Sequence, residues 1–167
     1  TKIEEIKNLI ERIQEITSKI DLIVHSAGIM ESSVSNKLEL ESLNKSFLVN
    51  TIAPLSITSN LTKQLSRAKG TVIAISSIAS ILDIPGEAIY SSSKSALDKG
   101  FEILAADLSR FGVKFIKVHP SMIDTPMTEN LNSDQKNYML SKQSSKKSPT
   151  TEELAKYILS LQNQSSF

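Results

Sequence analysis

The chain has 167 residues, which is long enough for one domain with a buried core. Its composition is 40% hydrophobic and 22% charged with a net charge of +1, which gives no reason to expect a nucleic acid or an anionic membrane as partner. The absence of cysteine excludes disulfides, thiolate nucleophiles and the usual kind of zinc site. With no apolar run near the ~20 residues of a membrane span and no signal peptide pattern, we expect a cytoplasmic protein that binds no metal.

The first elements predicted along the chain are a helix and a buried strand. Apolar side chains recur at steps of three and four between residues 3 and 20, which indicates one face of a helix. Asp21–Val24 follows as a continuous apolar strand, of the kind found in parallel sheets covered on both faces. His25 is interpreted as a packed residue at the strand end rather than as a ligand or base. Ser26-Ala27-Gly28 is then a turn of small residues that lets a ligand approach the backbone.

A long helix is predicted within Leu38–Leu65, and Asn50 falls inside it. Pro54, four residues later, removes the backbone hydrogen bond to Asn50 and therefore predicts a kink. From the residues alone, Asn50 is either a hydrogen-bonded polar residue of the core or a functional side chain beside that kink.

The central stretch of the chain joins a buried strand to the longest predicted helix. Thr71–Ile75 is rich in β-branched residues and predicts the strand, which Ser76 and Ser77 follow directly. Tyr90-Ser-Ser-Ser-Lys94 opens the helix, and Gly112 closes it. Tyr90 and Lys94 are four residues apart, so their side chains share one face. The apolar stripe of this helix consists of Leu97, Phe101, Leu104, Leu108 and Phe111.

Tyr90, Lys94 and a serine at the strand end are residue types suited to acid–base chemistry on a carbonyl or an alcohol. A phenol titrates near ~10, and a nearby ammonium favours the phenolate and lowers that pKa. General acid–base catalysis is most effective when the pKa lies near the working pH. The same spacing recurs at Tyr138 and Lys142, but that pair lies in a polar segment and is interpreted as an exposed helical pair.

Further elements follow the central helix. Val113–Val118 predicts a third strand, and His119–Met127 a loop after it. Residues 128–148 are polar, with serine and lysine abundant at the end, and predict a substrate lid. A capping box at Thr150–Glu153 leads into a last helix. The alternation of strands and helices predicts one doubly wound, mostly parallel α/β domain over residues 1–167, with its site at the carboxyl ends of the strands.

Several of these motifs resemble the short-chain dehydrogenase/reductase family. Ile75-Ser-Ser77 and Tyr90-Ser-Ser-Ser-Lys94, with thirteen residues from Ser77 to Tyr90, are similar to the central motif of that family. Three more matches follow in the order of the family: Ser26-Ala27-Gly28 after a strand, Val49-Asn50-Thr51 in a helix, and His119-Pro120 through Thr125 after a later strand.

The resemblance implies an NAD- or NADP-dependent oxidoreductase that interconverts a carbonyl and an alcohol of a small-molecule substrate, with a 3-oxoacyl-reductase-like activity as one form. By the resemblance, Tyr90 donates or accepts the proton, and Ser77 orients the substrate oxygen. Lys94 lowers the Tyr90 pKa and holds the nicotinamide ribose, and Asn50 completes a proton relay through a water. The cofactor-binding residues that the resemblance implies are Ala27, Gly28, Tyr90, Lys94, Pro120, Ser121, Ile123 and Thr125.

The sequence also departs from the family. His25 and Ser26 stand where the family usually has two asparagines, and Ser121 stands in a glycine position. The five glycines are not clustered, so the glycine-rich dinucleotide turn is missing. By the resemblance, the first three strands and the last strand are absent, which would leave Leu22–Val24 as an exposed apolar edge. We therefore expect an incomplete Rossmann-like domain from a longer protein; the alternative is a truncated, non-catalytic binding or assembly module.

The helix from Ser91 to Phe111 carries apolar or small residues on more than one side, which is more than covering a sheet requires. Family members commonly form dimers or tetramers through this helix and the helix that contains Asn50. The sequence therefore predicts a homodimer or a homotetramer.

Overall fold

The computed structural model describes residues 2–31, 37–123, 125–129, 131, 133–142 and 148–162. The strands in this part of the chain are β1 (Leu22–His25), β2 (Thr71–Ile75) and β3 (Lys114–Val118). A π-helical turn covers Leu48–Ile52, and short 3-10 turns cover Ile78–Ser80 and Ser109–Phe111. The α-helices are α1 (Ile3–Ile16), α2 (Leu40–Phe47), α3 (Ala53–Asn60), α4 (Thr62–Ala68), α5 (Ala88–Leu108), α6 (Pro126–Glu129), α7 (Ser133–Lys142) and α8 (Thr151–Gln162).

The strands form one parallel sheet in the order β1-β2-β3. Thr71 of β2 lies opposite Leu22 of β1 and opposite Lys114 of β3, so both edges of β2 are paired. Parallel strands need crossover connections, which here are helical, and this arrangement confirms the predicted α/β fold. Within the described residues, β1 has no strand on its other edge, where Val24 is 37% exposed. Leu22 and Ile23 are half-buried, so the exposed apolar edge predicted at Leu22–Val24 is found only at Val24.

Helices cover both faces of the sheet. Successive side chains of β2 point to opposite faces, so their contacts show which helix covers each face. Val72 packs in one cluster with Phe101 of α5, and Ile73 packs in another with Ile158 of α8. Since both faces of β2 are buried, its apolar residues run continuously instead of alternating with polar ones. This layered arrangement confirms the doubly wound architecture.

The helix predicted within Leu38–Leu65 is divided into α2, the π-helical turn, α3 and α4. At the π-helical turn, the Ala53 N–H bonds the Leu48 carbonyl, five residues back. Pro54 follows with no N–H of its own, and its ring is incompatible with an ordinary α-helical approach to the Asn50 carbonyl. The disturbance predicted at Pro54 therefore takes the form of a wider helical turn that contains Asn50.

The end of α5 differs from the predicted stripe. Leu97, Phe101 and Leu108 are buried, but Phe111 is 44% exposed. The chain tightens into a 3-10 turn after Leu108, which rotates Phe111 away from the apolar face. Gly112 then adopts φ 77°, a left-handed conformation, and closes the helix as predicted.

Two helices, α6 and α7, lie in the described part of the predicted lid at 128–148 and just before it. Met139 of α7 is buried, as is Leu131 in the segment before it.

The last predicted helix is confirmed as α8, whose start includes the hydrogen bond from the Thr150 N–H to the Glu153 carboxylate. Among the described helices, none has the length and apolarity needed to cross a bilayer.

Candidate active site

The predicted serine, tyrosine and lysine come together at the carboxyl end of β2. Ser77 follows the strand after one residue, and its Oγ accepts a hydrogen bond from the Ala79 N–H at 3.1 Å, which starts a 3-10 turn. Tyr90 and Lys94 lie on the first turns of α5, and both side chains are buried. The sharp turn after the strand and the helix start therefore aim three polar side chains at one place.

Lys94 is held by the backbone of the strand that it faces. Its Nζ donates a hydrogen bond to the Ile75 carbonyl at 2.8 Å and lies 5.9 Å from the centroid of the Tyr90 ring. Burial disfavours the ammonium form and lowers the pKa of Lys94 to about 8, an effect that the Asp98 carboxylate partly opposes. Lys94 is therefore a buried cation with a pKa only slightly above neutral pH.

The pKa of Tyr90 is raised, which is opposite to the direction predicted from Lys94. Burial of the phenol is the largest cause, and the charge of Glu87 adds to it. A hydrogen bond with the Ser77 side chain acts in the opposite direction and does not outweigh burial. The sequence interpretation considered the nearby ammonium but not the desolvation of the phenol, and in this structure desolvation decides the sign.

Asn50 is buried and makes hydrogen bonds to two other segments. Its Oδ1 accepts from the Ile29 N–H at 2.9 Å, and its Nδ2 donates to the Ile29 carbonyl at 2.8 Å and to Ser93 Oγ at 2.9 Å. Ser93 Oγ donates in turn to the Tyr90 carbonyl at 2.8 Å, and Thr51 Oγ1 donates to the Ser93 carbonyl at 2.7 Å. Asn50 is thus a satisfied core residue that ties the turn after β1 to α5, and its role in a relay stays a prediction.

Gly28 brings the backbone of that turn close to the same side chains. A Cβ atom at Gly28 would lie 3.5 Å from Asn50 Oδ1 and 3.5 Å from Lys94 Nζ. Ala27 beside it is exposed. The backbone of the turn therefore lies close to Asn50 and Lys94, and the approach of a ligand to it stays a prediction.

A cavity of about 170 Å³ lies between these elements. Most of the predicted site residues line it, whereas Asn50 lies behind its wall and Ala27 lies outside the lining. The predicted residues that line the cavity are Gly28, Ser77, Tyr90, Lys94, Pro120, Ser121, Ile123 and Thr125.

Sequence reasoning missed several residues of this site. Thr128 fixes the loop after β3, because its hydroxyl bonds the Ile123 carbonyl at 2.8 Å and the Thr125 carbonyl at 2.9 Å. Ser93 was detectable as the serine three residues after Tyr90, where a helical hydroxyl reaches a carbonyl one turn back. The apolar wall of the cavity had no local signal in the sequence, and its residues are Met30, Met122, Met127, Leu131 and Met139.

Three residues to which the sequence analysis assigned no function, His25, Tyr138 and Lys142, lie in defined surroundings in the structure. His25 Nε2 lies 2.8 Å from Thr58 Oγ1, and its ring meets Phe101 edge-on with 5.8 Å between centroids. Burial lowers the pKa of His25 to about 4, so the ring is neutral and packed, as interpreted from the sequence. Lys142 Nζ lies 5.3 Å from the Tyr138 ring centroid. Lys142 is exposed as predicted, whereas Tyr138 is partly buried against the apolar cluster beside the cavity.

The chain is similar in sequence to known oxidoreductases. Residues 1–136 match the family described as short chain dehydrogenase. A protein described as an uncharacterized oxidoreductase, from Staphylococcus saprophyticus, is 32% identical over 126 residues, which cover 75% of this chain and 54% of that relative. A 3-oxoacyl-[acyl-carrier-protein] reductase from Synechocystis sp. is 31% identical over 132 residues, which cover 78% of this chain and 53% of the reductase.

The fold is similar to that of solved dehydrogenases. An alcohol dehydrogenase from the archaeon Thermococcus sibiricus, complexed with 5-hydroxy-NADP, has a TM-score of 0.82 at 20% identity, over 98% of this chain and 66% of that one. The chain spans about half the length of the curated relatives that it matches, 54% and 53%. With the family match extending over residues 1–136, this chain belongs to the short chain dehydrogenase family.

Proposed function

We propose that the full-length protein is an NAD- or NADP-dependent oxidoreductase that interconverts a carbonyl and an alcohol. The observation that carries this proposal is the meeting of Ser77, Tyr90 and Lys94 in one cavity at the carboxyl ends of parallel strands. Open α/β sheets bind their ligands at this edge. Family membership supports the reaction type, and the NADP analogue in the Thermococcus sibiricus structure supports the class of cofactor.

The residues of the chain divide the acid–base work. Tyr90 donates a proton to the carbonyl oxygen during reduction, since a phenol titrates near ~10 and carries its proton at neutral pH. Ser77 interacts with the Tyr90 side chain and orients the same substrate oxygen. Lys94 holds its cation beside the phenol and so favours the phenolate that donation leaves. Asn50 holds the water of a proton relay.

The residues present fit the nicotinamide end of the cofactor. The Ser76 hydroxyl lines the cavity, is buried, and has no hydrogen-bond partner among the described residues, so a polar ligand can use it. Lys94, Gly28, Ala27 and the Pro120–Thr125 segment would hold the ribose and the carboxamide. When bound, the dinucleotide supplies or accepts the hydride.

A 3-oxoacyl group is a narrower proposal for the substrate, and the Synechocystis reductase at 31% identity supports it. The decisive experiment measures oxidation of NADH or NADPH by the full-length protein with a panel of carbonyl compounds. Tyr90→Phe should reduce turnover at least ~10²-fold, the range that acid–base catalysis supplies. Tyr138→Phe, the matched control, should be close to wild type. Undiminished turnover in a folded Tyr90→Phe variant would refute the role of Tyr90, and no turnover at all would favour the non-catalytic alternative.

We also propose a homodimer or a homotetramer that uses the outer side of α5. Ile103 on this helix is 53% exposed, and Ile52 in the π-helical turn is 49% exposed. Burying these two side chains in an interface would remove apolar surface from water and so favour association. Light scattering at micromolar concentration should report a dimer or larger species for the full-length protein, and Ile103→Lys should lower its mass. A monodisperse monomer would contradict the proposal.

A further inference from the structure

The apolar wall of the cavity contains every methionine of the chain. The four methionines, Met30, Met122, Met127 and Met139, come from separate parts of the sequence, and all of them line the same cavity. Met30 follows β1, Met122 lies in the loop after β3, and Met127 and Met139 lie on α6 and α7. The fold therefore gathers one residue type at one site from four positions.

Three of these side chains pack in the cluster that contains Tyr90, and the fourth lies beside Gly28. Met139 is buried in one cluster with Tyr90 and Leu131, and Met30 and Met122 pack against that cluster. Met127 Cε lies 3.9 Å from the position that a Cβ atom at Gly28 would occupy. A substrate whose oxygen reaches Tyr90 therefore has thioether side chains next to its remaining atoms.

The described lining offers little to a charged substrate. Lys94 is the only charged side chain among the described residues that line the cavity, and its Nζ already donates to the Ile75 carbonyl. A carboxylate or phosphate in such a place loses most of its hydration, and one ammonium that also bonds the Ile75 carbonyl replaces only part of that hydration, which is costly. An apolar substituent loses no hydrogen bond there and gains from leaving water.

Methionine also determines how closely such a wall follows the shape of its ligand. Its side chain is unbranched, adapts to irregular gaps, and makes favourable sulfur contacts with aromatic rings. Leucine or isoleucine at these four positions would give a wall of similar polarity and less adaptability. The wall is therefore suited to aryl, alicyclic and alkyl groups of differing outline.

We propose that the substrate of this site is a carbonyl compound or alcohol whose remaining part is uncharged and apolar, held by the adaptable wall of Met30, Met122, Met127 and Met139. This inference rests on the proposed function, because it names the substrate class of the same site. It makes two separate claims, namely rejection of charged substituents and tolerance of apolar substituents of different shape.

The first test compares two ketones with the same acetophenone skeleton, para-methylacetophenone and para-acetylbenzoate, with the full-length protein and with NADH and NADPH supplied separately. The methyl compound should have a kcat/KM at least ~10-fold higher, since a buried unpaired carboxylate is disfavoured by more than one factor of ten. Cyclohexanone and 2-hexanone should also be reduced, within about ten-fold of the methyl compound, if the wall adapts as methionine allows. Equal or faster reduction of the carboxylate would overturn the inference while leaving the proposed function intact.

The second test measures binding without turnover. Methionine methyl groups labelled with carbon-13 report contact through their NMR signals, which Met→Leu variants assign to residues. The methyl compound should shift the signals of Met139 and Met30, and para-acetylbenzoate at the same concentration should not. If these shifts occur without any oxidation of NADH or NADPH, the ligand class stands and the proposed function fails. If neither compound shifts the signals, the inference is wrong.

Substitutions then connect the wall to selectivity. Met139→Gln keeps the length of the side chain and adds a polar amide, so the preference for the methyl compound should fall at least ~5-fold, whereas Met139→Leu should keep the preference. Met122→Gln, at a less buried position, gives the same test if Met139→Gln does not fold by circular dichroism. Leu159→Gln on α8, where Leu159 is 58% exposed, is the matched control and should leave the preference unchanged. A preference that survives both glutamine variants would overturn the inference.

Discussion

The Asn50 side-chain amide donates a hydrogen bond to Ser93 Oγ, 2.9 Å away, between the π-helical turn and α5. Ser93 Oγ in turn donates a hydrogen bond to the Tyr90 carbonyl at 2.8 Å. The same amide holds the Ile29 backbone through its N–H and its carbonyl. Asn50 and Ser93 are both buried, so if one side chain is removed, neither water nor another protein group replaces its hydrogen bond to the other.

The first prediction concerns this connection. Ser93→Ala removes the acceptor of the Asn50 amide and should lower the free energy of unfolding by about 1–3 kcal/mol, the cost of an unsatisfied buried polar group. Urea denaturation of the full-length protein, followed by circular dichroism, measures it. Ser92→Ala, at an exposed position of the same helix, should change stability by less than ~0.5 kcal/mol. Equal effects of the two substitutions would contradict the prediction.

The second prediction concerns pH and the buried charge of Lys94. Its pKa is about 8 in the folded protein, below the ordinary value of 10.5. Between these two values the unfolded chain keeps a proton that the folded chain has released, so stability rises with pH in this window. Below about 8 both states are protonated, and the full cost of the buried ammonium is present.

Lys94→Met removes this dependence. The free energy of unfolding of the wild type should therefore rise relative to that of Lys94→Met by up to about 3 kcal/mol as the pH increases from 8 to 10.5. Urea denaturation at several pH values measures the difference. Lys63→Met, at an exposed position of α4, is the control and should give a difference that does not change with pH. A constant difference for Lys94→Met as well would show that its ammonium is not buried in the folded protein.

The third prediction concerns Asp98, one helical turn after Lys94. Its charge raises the pKa of Lys94 against the effect of burial, and its Oδ2 lies 2.9 Å from His119 Nε2. Asp98→Asn removes the charge and keeps the shape, so the pKa of Lys94 should move further down. Because the proposed role of Lys94 requires its ammonium form, the alkaline fall of kcat/KM in a pH–rate profile should then begin at lower pH.

The control for this prediction is Asp107→Asn, an exposed substitution near the end of the same helix. It should leave the alkaline limb where it is in the wild type, because an exposed charge more than two turns away is screened by solvent. An alkaline limb that stays in place or moves to higher pH in Asp98→Asn would contradict the electrostatic role of Asp98.

Much of the architecture could be predicted from local patterns. The apolar run Thr71–Ile75 is a strand because β-branched side chains favour extended backbone and both faces are buried. Tyr90 and Lys94 share a face because four residues make about one helical turn. Repeating such patterns along the chain predicts alternating strands and helices, and hence the parallel sheet.

Other features depended on contacts between distant segments. The upward shift of the Tyr90 pKa comes mainly from burial, which depends on what packs over the phenol and has no counterpart in the spacing to Lys94. The bonds of Asn50 to Ile29 and Ser93 join residues separated by 21 and 43 positions. The exposure of Phe111 follows from a tightened last turn that a helical period does not predict.

The sequence by itself determined the strands, the helices and the residue types at the strand ends, because these follow from backbone preferences and from side-chain periods of two and 3.6 residues. Tertiary structure alone decided that Met30 and Met139 meet at one cavity, and that desolvation outweighs the nearby ammonium in setting the Tyr90 pKa. The physical reason is that burial and electrostatic interactions depend on distances through space, which are fixed only when the segments pack together.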